Sequence, residues 1–89
     1  MERITLHREL EEILHARGNR WASTGDLAAE VNRRGRYRKR DGSAVTAFQV
    51  HGRTRRYSRM FERDGSRVRL QTAYAQRMDE SPEVGKVGL

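Results

Sequence analysis

Apolar residues near the start of the chain recur at intervals of three and four, which is the spacing of one helix face. Thr5 precedes them as a helix N-cap, and Gly18 follows them as a left-handed C-terminal residue. The pattern predicts a first helix over 6–17, with Glu9 and Glu11 mostly on the side away from the core. The apolar stripe consists of Leu6, Leu10, Ile13 and Leu14.

A second amphipathic segment follows a short extended piece at 20–22. Ser23 is placed to cap this second helix, and Gly35 is placed to end it. The next stretch, 36–45, has no apolar period and predicts a loop. Tyr37 is the one large apolar side chain of that loop and is expected to pin it to the core. The apolar face of the second helix consists of Leu27, Ala28 and Val31.

Thr46 opens a third helix, because Gln49 three residues later completes the pattern of a capping box. Four residues at helical spacing then define its core face. Met60 and Phe61 follow the helix and are expected to turn back into the core. The core face consists of Ala47, Val50, Thr54 and Tyr57.

Period-two alternation replaces helical spacing in the next apolar segment. Residues 61–63 and 67–70 are predicted strands of a β-hairpin, with Asp-Gly-Ser at 64–66 as the turn. Helix, short strand, helix, loop, helix and hairpin is the order of a winged helix-turn-helix, mainly α with a small β-hairpin. We expect one such domain over 4–71. Over 72–89 we expect an extension or linker with one more helical turn or two, partly disordered.

Positive charge concentrates around the third helix. The stretch 32–59 holds ten cations and a single acid, Asp41, whereas the 89-residue chain carries a net charge of +7. Like charges repel in a compact domain, and a phosphate polyanion would remove that repulsion. Most of these cations are arginines, whose planar fork suits phosphate and guanine edges. A solvated basic loop is the alternative interpretation, and a GC-rich genome also favours arginine codons.

Other function classes find little support in the chain. Cysteine is absent, which excludes disulfides and thiolate metal sites and agrees with the cytoplasm. No run approaches the ~20 apolar residues of a membrane span. His7, Glu11 and His15 share a helix face, but surface pairing explains them better than a metal does. Glu62 and Asp64 lack the further carboxylate and lysine of a nuclease. We expect no enzyme, metal or cofactor.

Four short stretches in the middle of the chain form a recognisable pattern: Leu27-Ala28-x-x-Val31-Asn32-x-Arg34-Gly35-x-Tyr37-Arg38, Arg40-Asp41-Gly42-Ser43-x-Val45, Gln49-Val50-x-x-Arg53 and Tyr57-x-x-Met60-Phe61-Glu62-Arg63. With these residues the chain resembles the HARE helix-turn-helix family of winged-helix domains, over residues 4–70. Phe48 stands where that family more often has a small or polar residue, and Gly52 is unusual inside a helix.

Such domains occur at the N-termini of restriction-endonuclease-like proteins, in Asx-like chromatin regulators and in the delta subunit of bacterial RNA polymerase. The resemblance implies binding of double-stranded DNA, with sensing of modified bases in a restriction or defence system. The delta-like members imply an alternative, a protein-interaction module associated with RNA polymerase. The resemblance also leaves room for a catalytic domain or longer polypeptide after residue 89.

The side of the third helix opposite Val50 is centred on Gly52, which lets the backbone approach a partner closely or is merely a tolerated weak point. Gln49 can pair with adenine or close the capping box, and arginines here contact guanine or, more often, phosphate. The predicted DNA-binding residues of this segment are Thr46, Phe48, Gln49, His51, Gly52, Arg53, Arg55, Arg56 and Arg59.

Phe48 lies on the outward side of the helix near its N-terminal end, where base edges are met. Its ring could contact the methyl group of thymine or 5-methylcytosine. Alternatively it folds back against Tyr37 in the preceding loop, and of the two we favour this second arrangement.

The loop before the third helix and the hairpin after it supply the remaining DNA-binding residues. The loop cations are expected to clamp phosphates beside the groove, and the hairpin cations to straddle a neighbouring backbone or the minor groove. The loop contributes Arg36, Arg38, Lys39, Arg40 and Ser43, and the hairpin contributes Arg67 and Arg69. RNA is a weaker expectation, because no stacking sheet of aromatic residues is evident.

Overall fold

A computed structural model of the chain describes residues 4–72. They form three helices and a small three-stranded antiparallel sheet, which confirms the predicted helices and hairpin. The short extended piece begins at Ala22 rather than at residue 20, and Asp64, predicted in the hairpin turn, ends the first hairpin strand instead. The extension predicted over 72–89 lies outside the described residues, apart from Thr72. The elements are α1 (Leu6–Ala16), β1 (Ala22–Ser23), α2 (Thr24–Arg34), α3 (Ala47–Arg56), β2 (Phe61–Asp64) and β3 (Arg67–Leu70).

Local hydrogen bonds fix the ends of the helices. Thr5, Ser23 and Thr46 are the three N-caps, and each side-chain oxygen accepts a backbone N–H three residues on. The capping box of α3 is complete, since the Gln49 side-chain oxygen accepts a bond from Thr46 N at 2.9 Å. Gly35 ends α2 with φ of 68°, a left-handed conformation that glycine adopts without strain. These boundaries depend on near neighbours in sequence.

The sheet has the order β1-β3-β2, so the last strand among residues 4–72 lies in its centre. Phe61 of β2 lies opposite Leu70 of β3, and Ala22 of β1 lies opposite Val68. Val68 and Leu70 face the core, as the alternation predicted. The sheet therefore covers the end of the helical layer and holds the hairpin at a fixed place beside α3.

The core lies between the three helices and the inner face of the sheet. Burying each large apolar side chain stabilises the fold by about 1.5–3 kcal/mol. Tyr37 and Met60 pack against this core from its edge and Phe61 enters it, as predicted. The largest fully buried apolar residues are Phe61, Leu10, Ile13, Leu14, Leu27, Leu70, Val31, Val50 and Val68.

The acidic residues of α1 do not lie where the sequence placed them. Glu9 and Glu11 are buried, so the prediction that they point away from the core is wrong. Glu9 is completely inaccessible, and one carboxylate oxygen lies 3.8 Å from a guanidinium nitrogen of Arg34 and 3.8 Å from one of Arg36. Two cations from α2 and the following loop thus compensate a carboxylate that burial would otherwise disfavour.

Two asparagines connect distant segments by the same pair of hydrogen bonds. The Asn32 side chain donates to Val45 O and accepts from Val45 N, both at 2.9 Å. Asn19 does the same with Leu70, at 3.0 and 2.7 Å. Each side-chain amide forms hydrogen bonds with both the backbone N–H and the backbone C=O of one buried residue, as a neighbouring β-strand would. Asn32 thereby ties the end of the 36–45 loop to α2.

Candidate nucleic-acid interface

One face of α3 points into the core and the other into solvent, as the helical wheel predicted. Val50 and Thr54 are fully buried, and the Thr54 hydroxyl donates to Val50 O at 3.0 Å. Gly52, Arg55 and Arg56 are exposed on the other side. A Cβ built on Gly52 would meet nothing within 4 Å. A partner can therefore approach the backbone closely at the middle of α3.

Phe48 does not pack against Tyr37, so the arrangement favoured from the sequence is wrong. Its side chain is 83% exposed, and it is the one large apolar residue exposed to this degree among residues 4–72. The capping box fixes the backbone at the start of α3, so the ring projects outward from the first turn. An apolar ring in water at this place is available for contact with a partner.

Gln49 and Thr46 use part of their hydrogen-bonding capacity within the protein. The Gln49 side-chain oxygen accepts from Thr46 N, so the capping interpretation of Gln49 holds. A bidentate contact with adenine needs both the oxygen and the NH₂ group of the same side chain. Base contact by Gln49 stays a prediction, and it would compete with the cap.

His51 and Arg53 flank the exposed face and contact other parts of the fold. An Arg63 guanidinium nitrogen lies 2.8 Å from His51 Nε2, which joins α3 to β2. An Arg53 nitrogen lies 3.4 Å from His7 Nδ1, and the His7 ring stacks on Tyr57 at 3.9 Å. Burial, followed by the Arg53 charge, lowers the pKa of His7 below its ordinary 6.5. No pattern in the sequence pointed to this role of His7.

The loop between α2 and α3 keeps its cations outward. Asn32 holds one end of the loop at Val45, and Tyr37 packs on the core. Within the loop, Asp41 accepts from the backbone N and the hydroxyl of Ser43, at 2.9 and 2.7 Å. These bonds lower the pKa of Asp41. The lone acid of the loop is thus engaged with Ser43, and it forms no ion pair within residues 4–72.

Arg36 differs from the other loop cations. Its guanidinium lies 2.7 Å from a carboxylate oxygen of Glu12 and 3.8 Å from one of Glu9, and the Glu12 hydrogen bond raises its pKa further. Both carboxylates belong to α1. The side chain predicted as a phosphate clamp therefore serves here as a connection between the loop and the first helix.

The two hairpin cations are also paired. Arg67 lies 2.9 Å from Asp64, and Arg69 lies 2.6 Å from Glu62. Both guanidinium groups lie over the Trp21 ring, at 5.4 and 4.4 Å from its centre. Trp21 gave no functional signal in the sequence, because its contacts with β3 are made across the sheet. Contact of these arginines with DNA remains a prediction, and a phosphate would compete with the carboxylates.

Six cations of the loop and of the α3 region have no such partner, and we refer to them as the open cations. Within residues 4–72, their side chains form no ion pair and no hydrogen bond to another residue. All six belong to the set predicted to bind DNA. The open cations are Arg38, Lys39, Arg40, Arg55, Arg56 and Arg59.

A surface concavity of about 370 Å³ lies between the loop and the exposed face of α3. Tyr37 and Phe48 line it, and Gly52 forms part of its wall. Lys39, Arg40, Arg53 and Arg56 also line it, and none of the lining residues is acidic. We refer to this concavity as the Phe48 groove. It joins apolar surface and uncompensated positive charge in one place.

Within residues 4–72, no three histidine, aspartate or glutamate side chains come together in a way that could hold a metal ion. His7, Glu11 and His15, considered above, thus form no such group. No helix in the same part of the chain is long and apolar enough to cross a bilayer.

No family model matches the chain, and a search of curated proteins and of solved structures likewise gives no match. Any functional conclusion therefore depends on the residues of this chain.

Proposed function

We propose that this chain is a winged-helix module that binds double-stranded DNA and has no catalytic activity of its own. In this arrangement α3 enters the major groove, and the β2–β3 hairpin is the wing. The observation that carries the proposal is the grouping of the six open cations. Three of them lie on the loop before α3, and three lie at the C-terminal end of α3 or just after it. The nearby carboxylates Glu12 and Glu62 are paired with other arginines.

Phosphate is the partner that fits this distribution of charge. Binding of Lys and Arg to phosphates releases condensed counterions, which supplies much of the affinity for DNA. A helix that presents Gly52 at the centre of its exposed face allows close approach to base edges. The order of elements agrees with a winged helix, and the resemblance to the HARE helix-turn-helix family is the basis for proposing that family.

The proposal extends to modified bases. Phe48 projects from the first turn of α3, where recognition helices meet base edges, and its ring is available to the methyl group of 5-methylcytosine. A role in a restriction or defence system is the biological setting that the family resemblance suggests for such sensing.

The test is an amide NMR titration with two short duplexes of one sequence, unmethylated and methylated at cytosine, each at two salt concentrations. The proposal predicts salt-sensitive shifts at 38–40, 46–59 and 67–69 with both duplexes. A stronger response to the methylated duplex would support modification sensing. An absence of shifts at low salt with either duplex would remove duplex DNA as the partner.

One observation favours a second candidate, a protein-interaction module of the delta-like kind. An exposed aromatic ring surrounded by cations also suits an acidic protein segment that carries apolar residues. In the same titration, this candidate predicts no response to duplex DNA. It also predicts that shifts caused by an acidic polymerase segment would centre on Phe48 rather than spread to Arg59.

A further inference from the structure

The Phe48 groove is larger than a methyl contact requires. A methyl group is about the size of a water molecule, whose share of liquid volume is about 30 Å³. The groove has a volume of about 370 Å³, which falls in the range of small-molecule sites of about 300–1,000 Å³. The groove therefore has room for a group the size of a nucleotide, and not only for one substituent on a base.

The walls of the groove combine the two properties that a nucleotide requires. Tyr37 and Phe48 offer aromatic surface, on which bases of any sequence stack. Lys39, Arg40 and Arg56 offer cations that form no ion pair within residues 4–72, and guanidinium groups bind phosphate oxygens in pairs. An acidic peptide would satisfy the cations, but a nucleotide carries the flat apolar face and the negative charge in one compact unit.

A base paired within a duplex cannot use these walls fully. It shows a protein only its edges, in the grooves, while its faces are covered by the neighbouring base pairs. An aromatic side chain reaches a base face only when that base leaves the stack. The site thus favours DNA in which one nucleotide is already unstacked.

We propose that the Phe48 groove binds one unstacked nucleotide of the DNA, with the base against Phe48 and Tyr37 and the phosphate at Arg40 and Arg56. This inference depends on the proposed DNA binding and specifies the form of DNA that the site prefers. The protein would bind a duplex with one unpaired nucleotide more tightly than the same duplex fully paired.

The test compares three fluorescein-labelled DNAs of one sequence by fluorescence anisotropy at one salt concentration. The first is fully paired, the second has one unpaired thymidine bulge, and the third has an abasic residue in the same bulge. The abasic DNA keeps the bend of the bulge but lacks the base. We expect the thymidine bulge to bind about tenfold tighter than the other two, the range expected for stacking of one base on an aromatic ring.

Variants of Phe48 test whether the preference for the thymidine bulge comes from the Phe48 groove. Phe48→Ala should bring the affinity ratio of thymidine bulge to abasic bulge close to one, whereas Phe48→Tyr should keep it. Both variants are expected to fold, because the side chain is 83% exposed.

The same measurements distinguish a failure of the nucleotide site from a failure of the proposed DNA binding. Equal affinity of the unaltered protein for all three DNAs would overturn the nucleotide site and leave duplex binding standing. A preference for the thymidine bulge that persists in Phe48→Ala would also overturn the assignment to this groove. No binding to any of the three would overturn both the nucleotide site and the proposed function.

Discussion

Two groups of cations differ in this molecule although they look alike in the sequence. In the paired group, arginines of α2, the loop start and the hairpin lie within reach of carboxylates, such as Arg33 with Glu30 and Arg36 with Glu12. The open cations lie on the rest of the loop and around the exposed face of α3. The comparison shows that the density of arginine does not itself define an interface, because several of these arginines are already paired with carboxylates of the same chain.

The positions of the acids create this difference. The carboxylates of α1, α2 and the hairpin lie beside the paired arginines, and Arg33 and Arg34 lower the pKa of Glu30 to about 2. Asp41 is the one acid within the loop; it accepts hydrogen bonds from Ser43, and its charge interacts with Lys39. The six open cations form no ion pair within residues 4–72, and a polyanion would reduce their mutual repulsion.

The strongest test of the comparison removes two open cations at once. In Arg55→Gln/Arg56→Gln we expect affinity for duplex DNA to fall roughly 50-fold at 0.1 M salt, since each phosphate contact contributes a factor of about 8 there. The slope of log affinity against log salt should decrease by about two. Arg33→Gln, which removes a cation already paired with Glu30, is the matched control and should change affinity little. Similar losses of DNA affinity in the double variant and in the control would contradict the distinction between open and paired cations.

A second test loosens the loop that carries half of the open cations. Asn32→Ala removes both hydrogen bonds to buried Val45 and leaves two backbone groups without these partners. We expect a loss of roughly 2 kcal/mol in the free energy of unfolding, measured by urea denaturation. DNA affinity of the folded protein should also fall, because the loop cations lose their fixed position. Unchanged stability would show that water replaces the amide at no cost.

A third test loosens a paired cation. Glu12→Gln removes the closest partner of Arg36 and leaves only the longer 3.8 Å contact with Glu9, so the guanidinium is more available to phosphate. We expect DNA affinity to rise by up to about eightfold at 0.1 M salt, with the salt slope steeper by about one. Asp26→Asn is the control, because it removes the same charge without releasing an arginine. Equal gains in DNA affinity from both variants would indicate that the gain comes from net charge alone.

The smallest expected effect concerns His7, which lies beside Arg53. Its pKa in the folded protein is below the ordinary 6.5, so the unfolded chain binds more protons just under that pH. Stability is therefore complete above pH 6.5, falls as pH decreases toward the folded pKa, and levels off below it. His7→Phe keeps a ring against Tyr57 and should lose less stability between pH 7.5 and pH 5.5 in urea titrations. If His7→Phe and the unaltered protein lose the same stability over this pH range, His7 is excluded as the source of the pH dependence.

The sequence predicted the elements of this fold well because their signals are local. Thr46 and Gln49, three residues apart, cap α3 as expected, and the alternation of Val68 with Arg69 predicts a strand. The core face of α3 followed from spacing in part, since Val50 and Thr54 are buried whereas Ala47 and Tyr57 are only half-buried. These features depend on hydrogen bonds and periodicity within a few residues.

The candidate site was less predictable, because its properties depend on residues far apart in the chain. Arg36 pairs with Glu12, which lies 24 residues earlier. Glu9 follows the apolar stripe at helical spacing, but its charge suggested exposure until Arg34 and Arg36 compensated it. The exposure of Phe48 likewise depends on where Tyr37 packs. No local pattern separates the open cations from the paired ones.

The order of the small sheet has a consequence for self-association. Among residues 4–72, its edge strands are β1, only two residues long, and β2, which carries Glu62, Arg63 and Asp64. Short edges and charged edge residues hinder the addition of a foreign strand. At the high local concentrations that many copies on one DNA would create, this sheet offers neighbours little on which to build fibrils.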